Sequence, residues 1–441
     1  MVLPSRGTLM RSRLTVTLAA LLTVALAGCT QGGKSASGGP SGSAGGTVEL
    51  TMLTFETPNL PAALWDSAIA RVEQKVPGVK IKKLVTPNVD RTTYAKQLAS
   101  SGQLPDIMIA VNPQGFAEGG QLAEFSQDDL KDFADPASGA IKGKIYQLPT
   151  NAQPQSLLYY NKDDFAKAKI AAPPKTWTEF LADCAKLKAV GITPIAVGGG
   201  GQDTFASMYT WVGTVGTDVY LTDPDFSKEI TSGSKTFDDP SFVKATDKVA
   251  QLAKLGYLDK QGTSRSYADH EKAFRAGSAA MYPMGSWFAT SADNDKPKFG
   301  VGVFAWPSDD GKAVVPNLTG GGLSVSAKAE NVDLAKKFAL EWTRDKETSD
   351  AFTKADGTFN TIKGYQPPAD MGPLFKETLA IYNQAVKDAT VTPALSIEQG
   401  DNGLPADMTV PVQQIAVELL NGKSDAKAAV TKLNKEYASL K

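Results

Sequence analysis

Polar and apolar residues alternate along Val48-Glu49-Leu50-Thr51-Met52-Leu53-Thr54-Phe55, the period of a half-buried strand. Over residues 61–75 the period lengthens, and Leu64, Ala68 and Val72 fall on one face of a helix. Val79 to Val85 alternates again, and Tyr94 to Ser101 reads as a helix end closed by Gly102. Pro105-Asp106-Ile107-Met108-Ile109-Ala110-Val111 is largely apolar, as a strand inside a parallel sheet is. This β-α-β-α-β rhythm predicts a parallel sheet with helices on both faces. The loops after its strands, at 56–59, 87–90 and 112–114, are polar and fall at the carboxyl edge, where open α/β sheets bind ligands.

Further on, Leu157-Leu158-Tyr159-Tyr160-Asn161 predicts the strand that begins a second lobe. Thr176-Trp177-Thr178-Glu179 is a capping box, opening a helix whose stripe is Trp177, Phe180, Leu181, Cys184 and Leu187. Gly191 to Val197 reads as a strand running into four glycines. Phe274 closes an amphipathic run, Gly277 suits a helix C-cap, and Ala279 to Tyr282 is a short buried strand. Gly285-Ser286 then turns the chain, and Trp287 follows just past the strand end. Gly300 to Pro307 reads as another strand, and Thr319 to Ser326 as a flexible loop entering a strand. Val332, Ala335, Phe338, Ala339 and Trp342 line a helix, and the last third is mostly helical.

With 441 residues the chain exceeds a single core, so two lobes are expected. A net charge of −1 gives no field that favours nucleic acid. One histidine, His270, leaves little scope for His-rich metal sites; beside Asp269 and Glu271 it reads as a solvated helix residue. Arg6, Arg11 and Arg13 precede an apolar run, Leu14 to Leu26, that is too short for a permanent span. That run ends in Leu26-Ala27-Gly28-Cys29, which resembles the bacterial lipobox; the resemblance implies a leader over 1–28 and a lipid on Cys29. Residues 29–46 form a flexible Gly/Ser linker. Cys184, on an apolar helix face, reads as a core residue.

From residue 47 onward the chain resembles an extracellular solute-binding protein of a bacterial ABC importer, in the sugar-binding group that includes maltose-binding protein. Gly143-Lys144-Ile145-Tyr146-Gln147-Leu148-Pro149, the run from Tyr159 to Pro194, Phe274 to Trp287, and Thr319 to Ser326 with the following helix carry that resemblance by their order and spacing. It implies an α/β fold of two lobes with a hinge and a ligand cleft between them. Lobe 1 is expected over 47–155 and 310–362, lobe 2 over 156–309 and 363–441. It also implies a monomeric receptor, held at the outer face of the cell membrane, that closes on a carbohydrate and passes it to an ABC permease, with no cofactor and no catalysis. Around the cleft it puts Glu56, Asn112, Asn151, Gln153, Gly320, Gly321 and Gly322, with Trp287 as a stacking platform for a sugar ring. Asp203, Trp211 and Asp401 are further candidates. The chemistry suits a sugar, because an aromatic face covers its C–H face and planar amides and carboxylates pair with its hydroxyl rim.

Enzyme motifs are wanting. Gly300-Val301-Gly302-Val303-Phe304-Ala305 mimics a dinucleotide fingerprint but runs into Trp306-Pro307 rather than a helix. Two other readings stay open: the same fold binding a non-sugar solute, and a surface glycoside hydrolase, which would need two facing carboxylates.

Overall fold

A computed structural model describes residues 46–87, 89–201, 204–397 and 399–440. The expected leader, Cys29 and the linker up to Gly45 lie outside the described residues, as does Asp203. Among the described residues no helix is long and apolar enough to cross a membrane.

Strands β1 (Val48–Thr54), β2 (Val79–Val85) and β3 (Ile107–Ile109) form the parallel core of the first sheet, with β1 between the other two. β1 and β2 run in register from Val48 opposite Val79 to Thr54 opposite Val85. Leu50 and Met52 pack with Trp65, Ala68 and Val72 of the helix Ala62–Lys75, whereas Leu53 packs with Ala95 and Met108 in a separate cluster. The sheet is therefore covered on both faces, as its apolar strands require.

Strand β4 (Asn151–Pro154) carries the chain out of this sheet into β5 (Leu157–Asn161). β5 is central to a second sheet, antiparallel to β6 (Met281–Met284) and β7 (Val301–Phe304). After β8 (Trp306–Pro307) the chain returns along β9 (Ala313–Gly320) to β10 (Leu323–Val325), which joins the first sheet antiparallel to β3. β4 and β9 pair antiparallel, Asn151 opposite Gly320 and Pro154 opposite Asn317, so outgoing and returning crossings are hydrogen-bonded together. β11 (Phe359–Asn360) and β12 (Val391–Thr392) flank them. Two sheets joined by crossing strands define the expected two-lobe α/β fold.

Three expectations change. Gly191 to Val197 forms no strand, and only Ile195 bridges to Leu258 and Met281, because Pro194 lacks a donor and the glycines beyond Val197 break the ladder. Thr319 and Gly320 belong to a strand, so the loop between β9 and β10 shrinks to Gly321 and Gly322. His270 is not solvated: it is buried on the inner face of the helix Tyr267–Arg275, its ring centroid 4.7 Å from that of Tyr282 and tilted 52° to it. Gly277 does take the left-handed φ of +84° that ends this helix. Cys184 is buried, and burial raises its thiol pKa far above the usual range.

Candidate functional site

A cavity of about 590 Å³ opens at the carboxyl ends of β1, β2 and β3 and against the crossing strands. Its size suits a drug-sized ligand, for which sites span about 300–1,000 Å³. Glu56 follows β1, Asp90 and Arg91 follow β2, and Asn112 follows β3; all four line it. Ala110 lines it too, held at a φ of +53° that costs a non-glycine residue energy. The facing wall is aromatic: Phe205, Tyr209, Tyr267 and Trp287. Asn151, Gln153, Gly320 and Gly321 come from the crossing segment.

The polar groups are held in place by their neighbours. Glu56 Oε1 lies 3.7 Å from Lys83 Nζ, which also pairs with Asp66 at 2.6 Å. The Arg91 guanidinium sits over the Phe55 ring, 4.1 Å from its centroid. Asn112 caps the next turn, its Oδ1 accepting from the Gln114 amide at 3.0 Å. Gln155 Nε2 donates to Gln153 Oε1 at 3.3 Å, and Gln153 Nε2 donates to Asp356 Oδ2 at 3.4 Å. Asp356 ends the helix Lys346–Asp356 and lines the cavity. Burial pushes its carboxyl pKa up to about 7, although hydrogen bonds from Asn59 and Gln153 and the charge of Arg91 oppose the shift. A carboxyl that titrates near neutrality can either donate to or accept from a ligand hydroxyl.

Trp287 opens the helix Trp287–Asn294 directly after β6. The turn before it needs glycine: a Cβ on Gly285 would lie 1.9 Å from the Trp287 ring. Trp287 is 9% exposed, so it offers the cavity a limited part of its ring system.

Of the residues singled out from sequence, the cavity gathers Glu56, Asn112, Asn151, Gln153, Trp287, Gly320 and Gly321. Gly322 does not line it; its hydrogen faces Leu148, whose carbonyl oxygen a Cβ would approach to 2.1 Å. Trp211 lies in the core, where its indole N–H donates to Thr246 Oγ1 at 3.1 Å. The Asp401 carboxylate accepts from the Lys142 amide at 2.9 Å and the Gly143 amide at 3.4 Å, away from the cavity. Both residues satisfy structural demands that a sequence pattern does not reveal. Arg91, Asp356, Tyr209, Phe205 and Tyr267 were not singled out. The Asp356-Gly357 helix stop was visible as punctuation only, and the aromatics as unassigned positions.

Among the described residues no group of three His, Cys, Asp or Glu side chains is placed to hold a metal ion.

Two sheets linked by crossing strands, with a cavity beside the crossing, define a two-lobe binding protein. The chain belongs to the bacterial extracellular solute-binding protein family, whose model matches residues 67–378. It is 27% identical over 312 residues to the multiple sugar-binding protein of Streptococcus mutans, a match covering 66% of this chain and 70% of that one. A solved chitin oligosaccharide binding protein superposes with a TM-score of 0.75 at 26% identity, over 89% of this chain and 98% of the other. A maltose-bound T. maritima protein shares the fold at 18% identity, with a TM-score of 0.71 over 89% of this chain and all of that one, 100%.

Proposed function

We propose that this protein is an oligosaccharide receptor that captures a sugar in the cavity by hinge closure and hands it to an ABC permease. The observation that carries the reading is the cavity's two-sided lining, with Trp287 and Tyr209 on one wall and the amides and carboxyls of Asn151, Gln153, Asp356 and Glu56 around it. Such a lining matches the C–H face and hydroxyl rim of a pyranose. The named sugars of the relatives above support the same class. The lobes are 47–155 with 310–362 and 156–309 with 363–441, moving about the β4–β9 crossing. Glu56, Asn112, Asn151, Gln153, Trp287, Gly320 and Gly321 form the binding set.

The receptor works as a monomer and turns nothing over. It is exported by the leader over 1–28 and held at the outer face of the membrane by a lipid on Cys29. Residues 29–46 give it the reach to meet the permease. Metabolic labelling with a palmitate analogue tests the anchor: the wild type takes up label and Cys29→Ala does not. Intrinsic fluorescence titrated with maltotriose, chitotriose and raffinose tests the ligand. A saturable change with one of them is the expected result, and silence from folded protein contradicts the reading.

A further inference from the structure

The aromatic wall of the cavity runs on past Trp287 and Tyr209. The Phe205 ring centroid lies 6.0 Å from that of Tyr209 and 5.1 Å from that of Tyr267. Thr204, one residue back along the chain, donates its hydroxyl to Gln413 Oε1 at 2.7 Å. Gln413 sits on the helix Thr409–Leu420, one turn in from Thr409 and on the same face, and both residues line the cavity. A helix from the end of the chain therefore reaches the wall on the Phe205 side.

The Gln413 amide is only half used. Its oxygen is taken by Thr204, whereas its nitrogen donates to nothing among the described residues. The side chain is 7% exposed, and the nitrogen keeps accessible surface. Gln147 and Gln155, buried to the same degree, both spend their amide nitrogens, on the Val111 carbonyl at 2.7 Å and the Gln153 carbonyl at 3.1 Å. That is the ordinary state of a buried amide, so the Gln413 donor needs an explanation. Ser396, also lining the cavity, adds a second uncommitted polar atom: its Oγ has no partner among the described residues. Its backbone is held at a φ of +58°, a conformation that costs a non-glycine residue energy and clusters at ligand-binding positions. Ser396, Gln399 and Thr409 are only partly buried, so the lining that this C-terminal segment contributes is open rather than packed.

We infer that Gln413 is a ligand-binding residue, its Nε2 donating to a hydroxyl or ring oxygen of a sugar unit that lies against Phe205. This rests on the oligosaccharide reading and adds to it a subsite, built by the helix Thr409–Leu420, outside the binding set named above. A sugar oxygen is the acceptor that the amide nitrogen lacks, and the Thr204 hydroxyl holds the amide so that the nitrogen stays available.

The test titrates wild-type protein with maltotriose, chitotriose and raffinose by calorimetry, then repeats the titration of the sugar that binds with Gln413→Met and Gln413→Glu, each shown folded by a melting curve. Both variants keep the bulk of the side chain and remove the donor at neutral pH. Each is expected to bind at least about tenfold more weakly, as a buried acceptor left unpaired costs. The second readout separates binding from packing. As the pH falls from about 7 towards about 4.5, the carboxyl introduced by Gln413→Glu takes up a proton and can donate again. Its affinity relative to wild type is therefore expected to recover, whereas that of Gln413→Met is not; the Asp356 titration is common to all three proteins and cancels in the ratio. Wild-type affinity in a folded Gln413→Met overturns the inference and leaves the receptor reading intact, as does a Gln413→Glu deficit that does not shrink with falling pH. No binding of any of the three sugars by the wild type overturns the receptor reading for them, and this inference falls with it.

Discussion

The indole of Trp287 meets the ring of Tyr209 edge to face, their centroids 5.8 Å apart and their planes at 63°. The pair joins the start of one helix, Trp287–Asn294, to another, Tyr209–Val215, and both rings line the cavity. Tyr209 thus fixes the orientation in which Trp287 faces the cavity. Trp287→Ala is expected to weaken sugar binding by about 2 kcal/mol, the range of a buried aromatic anchor. Calorimetry checks this, with a melting curve to confirm the fold; unchanged affinity would remove Trp287 from the site.

Gly285→Ala tests the same geometry without touching the indole. Its Cβ would lie 1.9 Å from the ring, so Trp287 must turn away from its present position. The expected result is a loss of affinity approaching that of Trp287→Ala, together with a shifted tryptophan emission in the unliganded protein. An alanine variant with wild-type emission and affinity would show that the turn has room for the extra methyl.

His270 offers a clean probe because it is the only histidine in the chain. Burial, reinforced by the charge of Arg265, pushes its pKa down to about 3. The folded protein therefore refuses a proton that the unfolded chain accepts below about 6.5, and this residue's contribution to stability falls as pH drops from about 6.5 towards 3. The single imidazole resonance in a proton NMR spectrum is expected to stay fixed between pH 5 and 8. A midpoint near the ordinary histidine value would mean that the ring is solvated.

Asp356 has the opposite sign. In the folded protein it keeps its proton up to about pH 7, whereas the ordinary value is 3.8. Between those values the folded state binds more protons than the unfolded state, so its contribution to stability falls as pH rises from about 4 to 7. Asp356→Asn mimics the neutral acid and is expected to lose this limb. Urea unfolding of both proteins from pH 4.5 to 7.5 checks it: the asparagine variant should gain on the wild type as pH rises. The His270 contribution is common to both and cancels. Parallel pH profiles would contradict the placement of Asp356.

Lys96, on the helix Arg91–Ser100, forms an ion pair with Asp407 in the turn leading into the helix Thr409–Leu420. Thr92 and Thr409, from the same two helices, line the cavity, so the pair ties together elements on either side of it. Both side chains are substantially exposed, which limits the pair to at most about 1 kcal/mol and makes it sensitive to salt. Asp407→Asn is expected to speed ligand release by up to about fivefold at low salt and to leave it unchanged at about 1 M salt. Stopped-flow fluorescence reads both rates; equal release rates at low salt would show that the pair has no part in holding the ligand.

Much of the fold was legible because period and punctuation agree in this chain. The switch from alternation at Val48–Phe55 to helical spacing after Pro61 marks β1 and its covering helix, and Thr176 accepts from the Glu179 amide as half of the expected capping box, while the Glu179 carboxylate accepts from the Lys175 amide instead of that of Thr176. The stretch around Gly191 to Val197 was misread because local apolarity cannot show whether a strand partner exists; only Ile195 finds one. The cavity lining was legible where it follows strand ends, as at Glu56, Asn112 and Trp287. It was hidden where tertiary packing decides the role. Trp211 resembles Trp287 in sequence terms, yet its indole N–H is satisfied by Thr246 inside the core. Asp356 looks like an ordinary helix end until the chain brings Gln153 against it.

The most direct measurement is calorimetric titration of residues 46–441 with maltotriose, chitotriose and raffinose, each mixture analysed afterwards by mass spectrometry. The receptor account predicts saturable one-to-one binding of at least one sugar, recovered intact. Folded protein that binds none of them, or a sugar recovered as hydrolysed fragments, would contradict it.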